Sequence, residues 1–472
     1  MTRNRHSTQI TDTPDQSLSA TAYDRSFWLA YLGIALMMTG YGLLYRYADF
    51  ITFLGGSEFH IGWIVGTGMI GSLAMRLFLG VGIDRYGPRL IWTSSLLLVS
   101  ISCFGHLAVS SYTGWGIYFL RIIFACGMAG IFGSSITFIS NRVATNRVAE
   151  LVGMLGTAGY VGVMTGSQLG DFLCGTAEIQ QWQVYGMFVV AGLFSTSAIP
   201  FVWLATSGVP RPPRQPQPSM FRLLRHYNPG IIIAVGIITG LGLGLPEVFL
   251  RTFAVTLDMP RIALFFTTYA ITTIATRVLI RGLSERMALK PMILCGLGCL
   301  ATSMMSFILV KSYWQLIIPG FCFGITQAML APSVIAAANT NFPARFRGLG
   351  TTLVLASFDL GYLVGAPAAG VILHFSTMAG LPAYTILFAT MVIVIIFVAV
   401  LYAIIPGRKP SRDQTVEWSE LLAGGELLAA ADCPVTPKSI DPLRPCAYHP
   451  AVDFDDPLSI DACGTAGKAE TD

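Results

Sequence analysis

Charge is scarce in this 472-residue chain. Asp, Glu, Lys and Arg together make up 11% of it, against 54% hydrophobic residues. A soluble domain of this length needs a larger charged surface, so the composition excludes one and points to a polytopic membrane protein. Other things are missing too. There is no P-loop, so transport driven by ATP is not expected. No nucleophile–base pairing or metal-ligand spacing stands out, so neither an enzyme nor a bound metal or cofactor is expected. The cysteines fit small-residue packing. Six (Cys103, Cys126, Cys174, Cys295, Cys299, Cys322) fall in apolar runs and three (Cys433, Cys446, Cys463) in the polar tail. Residues 1–26 lack the apolar core of a secretory signal peptide, which leaves targeting to the first apolar run.

What the chain has instead is long apolar runs, about twelve of them, each near the ~20 residues that cross a hydrocarbon core. Unbroken runs of this length predict helices rather than barrel strands, which would alternate at about ten residues. Lys and Arg concentrate in alternate connections: Arg85/Arg89, Arg142/Arg147, Arg211–Arg225, Arg286/Lys290 and Arg345/Arg347. Basic loops stay cytoplasmic, so both termini are expected in the cytoplasm and the chain in the cell membrane. The net charge of +4 largely reflects this bias, and no nucleic-acid partner is implied.

One stretch occurs twice. Gly80-Val-Gly-Ile-Asp84-Arg85-Tyr-Gly87-Pro-Arg89 returns in degraded form as Arg281-Gly-Leu-Ser-Glu285-Arg286-Met-Ala-Leu-Lys290, 201 residues later. The same offset joins Arg76 to Arg277 and Arg46 to Glu247. Ser135, Asn141 and Arg147 recur as Ser333, Asn339 and Arg345, and Gly162 and Gly166 match Gly361 and Gly365. Matches that keep the same in/out sense describe parallel repeats. The expected organisation is a cytoplasmic tail at 1–26, a six-helix bundle at 27–206, a Pro/Arg-rich linker at 207–229, a second six-helix bundle at 230–405, and a polar cytoplasmic tail at 406–472. Within that tail, Trp418–Ala430 could form a short amphipathic helix, with disorder as the alternative.

The Gly80…Arg89 stretch resembles the loop signature of the major facilitator superfamily, Gly-x-x-x-Asp-Arg-x-Gly-x-Arg/Lys, at Gly80, Asp84, Arg85, Gly87 and Arg89. Leu120-Arg121 resembles the family's membrane arginine, with Ala125 where glycine is usual. The fifth run lacks the Gly-Pro of the drug-antiporter signature, since Ser167 follows Gly166. The resemblance covers residues ~25–406 and implies an all-α membrane protein, with twelve transmembrane helices in two pseudosymmetric bundles. It implies a monomeric secondary transporter that moves a small-molecule substrate across the bilayer by alternating access. The doubled motif, with Glu285, Arg286 and Lys290 in its second copy, would then be a cytoplasmic latch. Asp84 there could cap a helix or pair with an arginine of the other bundle.

Charges inside apolar runs cost at least ~2.5–3.5 kcal/mol each and persist when paired, wet or useful. They are Arg46, Arg76, Arg121, Glu247, Arg251, Arg277 and Asp359. Arg46 and Glu247 could pair as an outer gate; the local alternative pairs Glu247 with Arg251 and Arg46 with Asp49. Arg76 and Arg277 could clamp an anion through their planar forks, as the similar pair in nitrate/nitrite porters does, with Arg277 also resembling the arginine of monocarboxylate and oxalate carriers, or could snorkel to the interface. Asp359 is the candidate for a co-transported proton, against a hydrogen-bonded structural carboxylate. Five arginines against two acids favour an anionic cargo. The alternatives are export of an amphipathic organic compound and a non-transporting sensor on a carrier fold.

Overall fold

The computed structural model describes residues 23–143, 145–175, 179–208, 230–284, 288–340, 342 and 347–405. The Pro/Arg-rich segment 209–229 and everything from 406 on, including Trp418–Ala430, lie outside the described residues, as do Glu285 and Arg286.

All regular structure among the described residues is helical: α1 (Arg25–Leu43), α2 (Tyr47–Phe53), α3 (Glu58–Gly105), α4 (Trp115–Ser140), α5 (Thr145–Cys174), α6 (Gln181–Ala205), α7 (Ile231–Thr256), α8 (Ala263–Ser284), α9 (Leu289–Phe307), α10 (Ile317–Asn339), α11 (Arg347–Met378) and α12 (Ala383–Ile404). Among the described residues, eleven helical segments are long and apolar enough to cross a membrane. The twelfth crossing is α5, whose Gly153, Gly156, Gly159, Gly162, Gly166 and Gly170 dilute its apolar content. We call the side holding Tyr23, Gly208, Gly230 and Ile405 the tail side, and the other the distal side.

Two elements depart from a simple succession of ~20-residue runs. The first apolar run does not end with α1: after a 3-10 turn at Leu44–Arg46 it continues as α2 to Phe53. Arg46 and Asp49 are buried there, and their ion pair lets the backbone stay helical through a charged stretch. The second and third runs form one 48-residue element broken only at Gly87, where φ is 80° and ψ 160°. That conformation is essentially restricted to glycine, and Pro88 then starts the next helical stretch without needing a backbone donor. Gly87→Ala is therefore expected to cost about 1–3 kcal/mol. A thermal melt of the purified variant would show it as a lowered midpoint, and an unchanged midpoint would contradict the strained geometry.

The repeat in the sequence reappears as matched packing. In the first half, α5 lies on α1: a Cβ at Gly162 would stand 2.6 Å from the Ala35 carbonyl oxygen, and one at Gly166 2.1 Å from that of Thr39. In the second half, α11 lies on α7 the same way, with Gly361 at 1.9 Å from the Ile237 oxygen and Gly365 at 2.6 Å from Leu241. Close approach of this kind is how helices associate where lipid removes the hydrophobic driving force. Gly240 and Gly244 of α7 belong to the same packing, against the Phe358 backbone and the Tyr362 ring. The Gly/Pro stretch before Glu247 thus seats α11, and α7 runs through Pro246 as one helix.

The halves meet along α3 with α11, α5 with α8, and α2 and the 3-10 turn before it with α7. On the α3–α11 line, a Cβ at Gly62 would lie 2.3 Å from the Ala366 oxygen, and one at Gly66 2.5 Å from Pro367 Cδ.

Candidate functional site

Between the halves lies a cavity of about 440 Å³, a size typical of small-ligand sites. Its deep end is formed by Tyr41, Tyr45, Arg121, Glu247 and Tyr362. It extends past Arg277 and Tyr160 to Ser135, Ile136 and Val152, which lie toward the tail-side ends of α4 and α5. Five of the seven intramembrane charges read from the sequence line it together: Arg76, Arg121, Glu247, Arg277 and Asp359.

Arg76 and Asp359 neutralise each other. Arg76 on α3 grips the carboxylate of Asp359 on α11 with Nε and Nη2, and Ser72 Oγ adds a bond of 2.6 Å. The two residues come from different halves, so this pair ties the halves together at the cavity wall. Of the two readings of Asp359, this contact fits the hydrogen-bonded structural carboxylate, with a guanidinium as its partner. Arg277 was expected to mirror Arg76, but it has no such carboxylate. Its Nη2 donates to Tyr160 Oη at 3.0 Å, its guanidinium lies 5.0 Å from that ring, and its buried Nε has no partner. Arg121 is similar. It sits 4.6 Å from the Tyr47 ring and 5.1 Å from that of Phe124, again with an unpartnered, buried Nε. Gln327 Oε1, also on the cavity wall, lacks a donor.

Arg46 and Glu247 do not pair with each other; the structure gives each a different partner. Glu247 Oε2 accepts from Tyr41 Oη at 3.0 Å and from Tyr362 Oη at 3.3 Å. Arg46 belongs to a clasp at the distal end. Its Nε donates to Asp49 Oδ2 at 2.8 Å and its Nη1 to Asp171 Oδ1 at 2.9 Å. Asp49 Oδ1 accepts from Arg251 Nε at 2.7 Å. Asp171 Oδ2 accepts the backbone N–H groups of Ile262 and Ala263, at 2.8 and 2.7 Å, where α8 begins. A carboxylate at a helix N-terminus takes up free donors and meets the positive end of the helix dipole. Pro260 and Met259 carbonyls accept further bonds from Arg46 and Arg251, while the buried Arg46 Nη2 has no partner. Arg46, Asp49 and Asp171 come from the first half, Arg251 and the α8 N-terminus from the second. All four side chains are at most 6% exposed. The helical spacing had suggested the Arg46–Asp49 contact; Asp171 was missed, because it falls at the end of its apolar run and reads there as a loop residue.

The basic ends of the doubled motif act within their own halves. Arg89 lies 3.7 Å from the Trp203 ring of α6, and Lys290 Nζ donates to the Ala403 carbonyl at 2.9 Å, at the end of α12. These are equivalent positions in the two repeats. Arg85 is exposed beside Tyr86, at 5.4 Å.

A helical bundle doubled about a central cavity, closed at one end by interdigitated charges, has known counterparts. The family model described as Major Facilitator Superfamily matches residues 27–265 and 228–445. The chain belongs to the Major Facilitator Superfamily. It is a multi-pass membrane transporter. An "Uncharacterized transporter" of Buchnera aphidicola subsp. Schizaphis graminum is 30% identical over 120 residues, which cover 25% of this chain and 27% of that one. The chain thus matches only about a quarter of that relative's length. Among solved structures, a variant of the nucleoside transporter NupG superposes with a TM-score of 0.67 at 14% identity, covering 80% of this chain and 98% of that one. A D-xylose-proton symporter gives 0.64 at 16% identity, covering 81% and 98%. At such identities these superpositions establish the fold of this superfamily member.

Proposed function

We propose that this superfamily member is a secondary transporter of the cell membrane that carries a small organic anion by alternating access, working as a monomer with the tail side in the cytoplasm. The observation that carries the anion reading is Arg277. It lines the cavity without a carboxylate, has a buried Nε without a partner, and is held in place by Tyr160. A guanidinium with no carboxylate beside it is costly in a membrane interior, and a cargo oxyanion would satisfy the free Nε. Arg121 offers a second such group deeper in the cavity. The basic connections on the tail side support its cytoplasmic placement. The contacts joining the halves run from the distal clasp to Arg76–Asp359, which supports reading this as the state that faces the cytoplasm. In this mechanism Gly80, Asp84, Arg85, Glu285 and Arg286 would form the latch that closes the tail side in the opposite state.

A thermal-shift screen of the purified carrier against carboxylates, inorganic anions, neutral sugars and organic cations tests the reading. Carboxylates should stabilise it. Arg277→Gln should weaken that binding about tenfold or more, since a charged hydrogen bond contributes about 1.5–3 kcal/mol. Stabilisation by sugars or cations, unchanged in Arg277→Gln, would overturn it. A second reading, export of an amphipathic compound, draws on Met38, Met69, Met128 and Phe124 along the same wall. It expects apolar cations to stabilise the protein best.

A further inference from the structure

We propose that Gln327 selects the cargo of this carrier, favouring anions that also carry a hydroxyl or N–H donor over otherwise identical anions that do not. The inference rests on the anion reading and deepens it. Among the described residues, three buried side-chain atoms without a partner belong to residues of the cavity wall: Arg121 Nε, Arg277 Nε and Gln327 Oε1. Two of them are donors, and an oxyanion supplies the acceptors they need. The third is an acceptor, which an oxyanion cannot satisfy. A cargo that leaves none of these atoms unmet has an oxyanion at one point and a donor at another.

Helix packing brings these two needs within reach of one small molecule. α8 and α10 lie side by side and run in the same direction. A Cβ at Gly320 would stand 2.9 Å from the Phe265 carbonyl oxygen, and one at Gly324 2.8 Å from that of Tyr269 and 2.6 Å from Thr272 Cβ. Counted from the Gly324–Thr272 contact, Gln327 is three residues further along α10 and Arg277 five further along α8. At ~1.5 Å per residue the two stand within about one helical turn of each other in height. The Gln327 side chain reaches that of Tyr269. The Tyr269 ring lies 5.8 Å from that of Tyr160, whose hydroxyl accepts from Arg277. The wall between the two polar ends is therefore aromatic and continuous.

The chemistry of the amide suits this task. The two carboxylates on the wall are engaged elsewhere, Asp359 by Arg76 and Ser72 and Glu247 by Tyr41 and Tyr362. Gln327 is neutral, so it offers an acceptor without repelling an oxyanion held nearby, as a carboxylate would. It discriminates through the bond that would be lost. A hydroxyl on the cargo donates to Oε1, whereas an analogue without it displaces water and leaves Oε1 unpaired. The oxyanion meets Arg277 in either case. Arg277 thus sets affinity for the class of anions, and Gln327 sets preference within that class.

The test uses the purified full chain near neutral pH, where free carboxylates are ionised. Affinities are measured for butyrate against α-, β- and γ-hydroxybutyrate, and for benzoate against para-hydroxybenzoate. In at least one of these comparisons the hydroxylated anion should bind about tenfold or more tighter than its parent, as expected when a buried acceptor gains its donor. The matching oxo or methoxy analogue accepts but cannot donate, and should bind no better than the parent. Gln327→Met removes the acceptor at similar volume and should abolish the preference. Arg277→Gln should weaken parent and derivative alike and keep their ratio, so failure of the anion reading and failure of this one are told apart. Should Gln327→Met fail to fold, the analogue series on the unmutated protein still decides. Hydroxylated anions that bind no better than their parents, oxo or methoxy analogues that match them, or a preference that survives in Gln327→Met would each overturn the proposal.

Discussion

Asp171→Ala is expected to open the distal side. The carboxylate joins three parts of the clasp: the Arg46 guanidinium on one oxygen, and the Ile262 and Ala263 amides on the other. Removing it leaves a buried arginine short of a partner and two amide donors unmet. Breaking a buried pair from one side costs about 3–5 kcal/mol, because the remaining charge stays desolvated. That cost falls on the closed clasp. Once the halves part, Arg46 and the α8 N-terminus are hydrated, and Asp171 contributes little. The equilibrium between the two states should therefore shift by two orders of magnitude or more toward distal-open, since each 1.4 kcal/mol is a factor of about ten. Asp171→Asn keeps one carbonyl acceptor and should fall between. The distance between spin labels on Ser110→Cys and Ala379→Cys, two exposed distal positions of opposite halves, reads the shift with the native cysteines replaced. An unchanged distance in Asp171→Ala would mean that the clasp does not close the distal side.

Gly62→Leu should trap the same distal-open state by a different route. A Cβ at this position stands 2.3 Å from the Ala366 carbonyl oxygen and 3.1 Å from its carbon. These are backbone atoms of a helix in the other half, so no rotamer change can relieve the overlap. Helix α3 must move away from α11, or the distal contact cannot form. Overpacking of this kind costs about 1–3 kcal/mol even where a core can adjust, and the separated state avoids it altogether. The expected result is a carrier that folds, retains binding from the distal side and transports poorly, with turnover reduced about tenfold or more. Gly66→Leu, facing Pro367 Cδ at 2.5 Å, should behave alike but more mildly, because a ring edge can yield where a backbone cannot. Wild-type turnover in Gly62→Leu would contradict a distal seam that opens along α3 and α11.

Much of the architecture was legible in the sequence, for a physical reason. A membrane solvent imposes apolar runs of fixed length, and a duplicated bundle repeats its special residues at one offset. The glycine pairs at 162/166 and 361/365 were legible as matched positions of the repeat; the structure shows that they seat α5 on α1 and α11 on α7. The intramembrane charges were legible as a set, because lipid tolerates few of them. Their partners were not. Arg46–Asp49 follows from helix spacing, but Asp49–Arg251, Arg46–Asp171 and Arg76–Asp359 join residues that are distant in the chain. Helical periodicity relates neighbours on one helix and says nothing about which helices face across a cavity. The 201-residue match of Arg46 with Glu247 pointed to symmetric positions. Symmetric positions need not touch: Arg46 turned to the distal clasp, while Glu247 stayed at the cavity among tyrosines. In the doubled motif, the repeat placed Arg89 and Lys290 at equivalent stations inside each half. The residues that could latch one half to the other, Glu285 and Arg286, lie outside the described residues.

In the proposed cycle one cavity is reached from one side at a time, and the distal contacts decide which. Val152 lines that cavity near its tail-side end and is partly accessible. Alkylation of Val152→Cys by a membrane-impermeant thiol reagent, applied separately to each face of oriented vesicles and with the native cysteines replaced, measures this directly. Labelling from the tail side should be rapid in the otherwise unmutated protein, and slow from that side, with access from the distal side, once Gly62→Leu is added. Equal labelling from both faces in either protein, or tail-side access unaffected by Gly62→Leu, would contradict it.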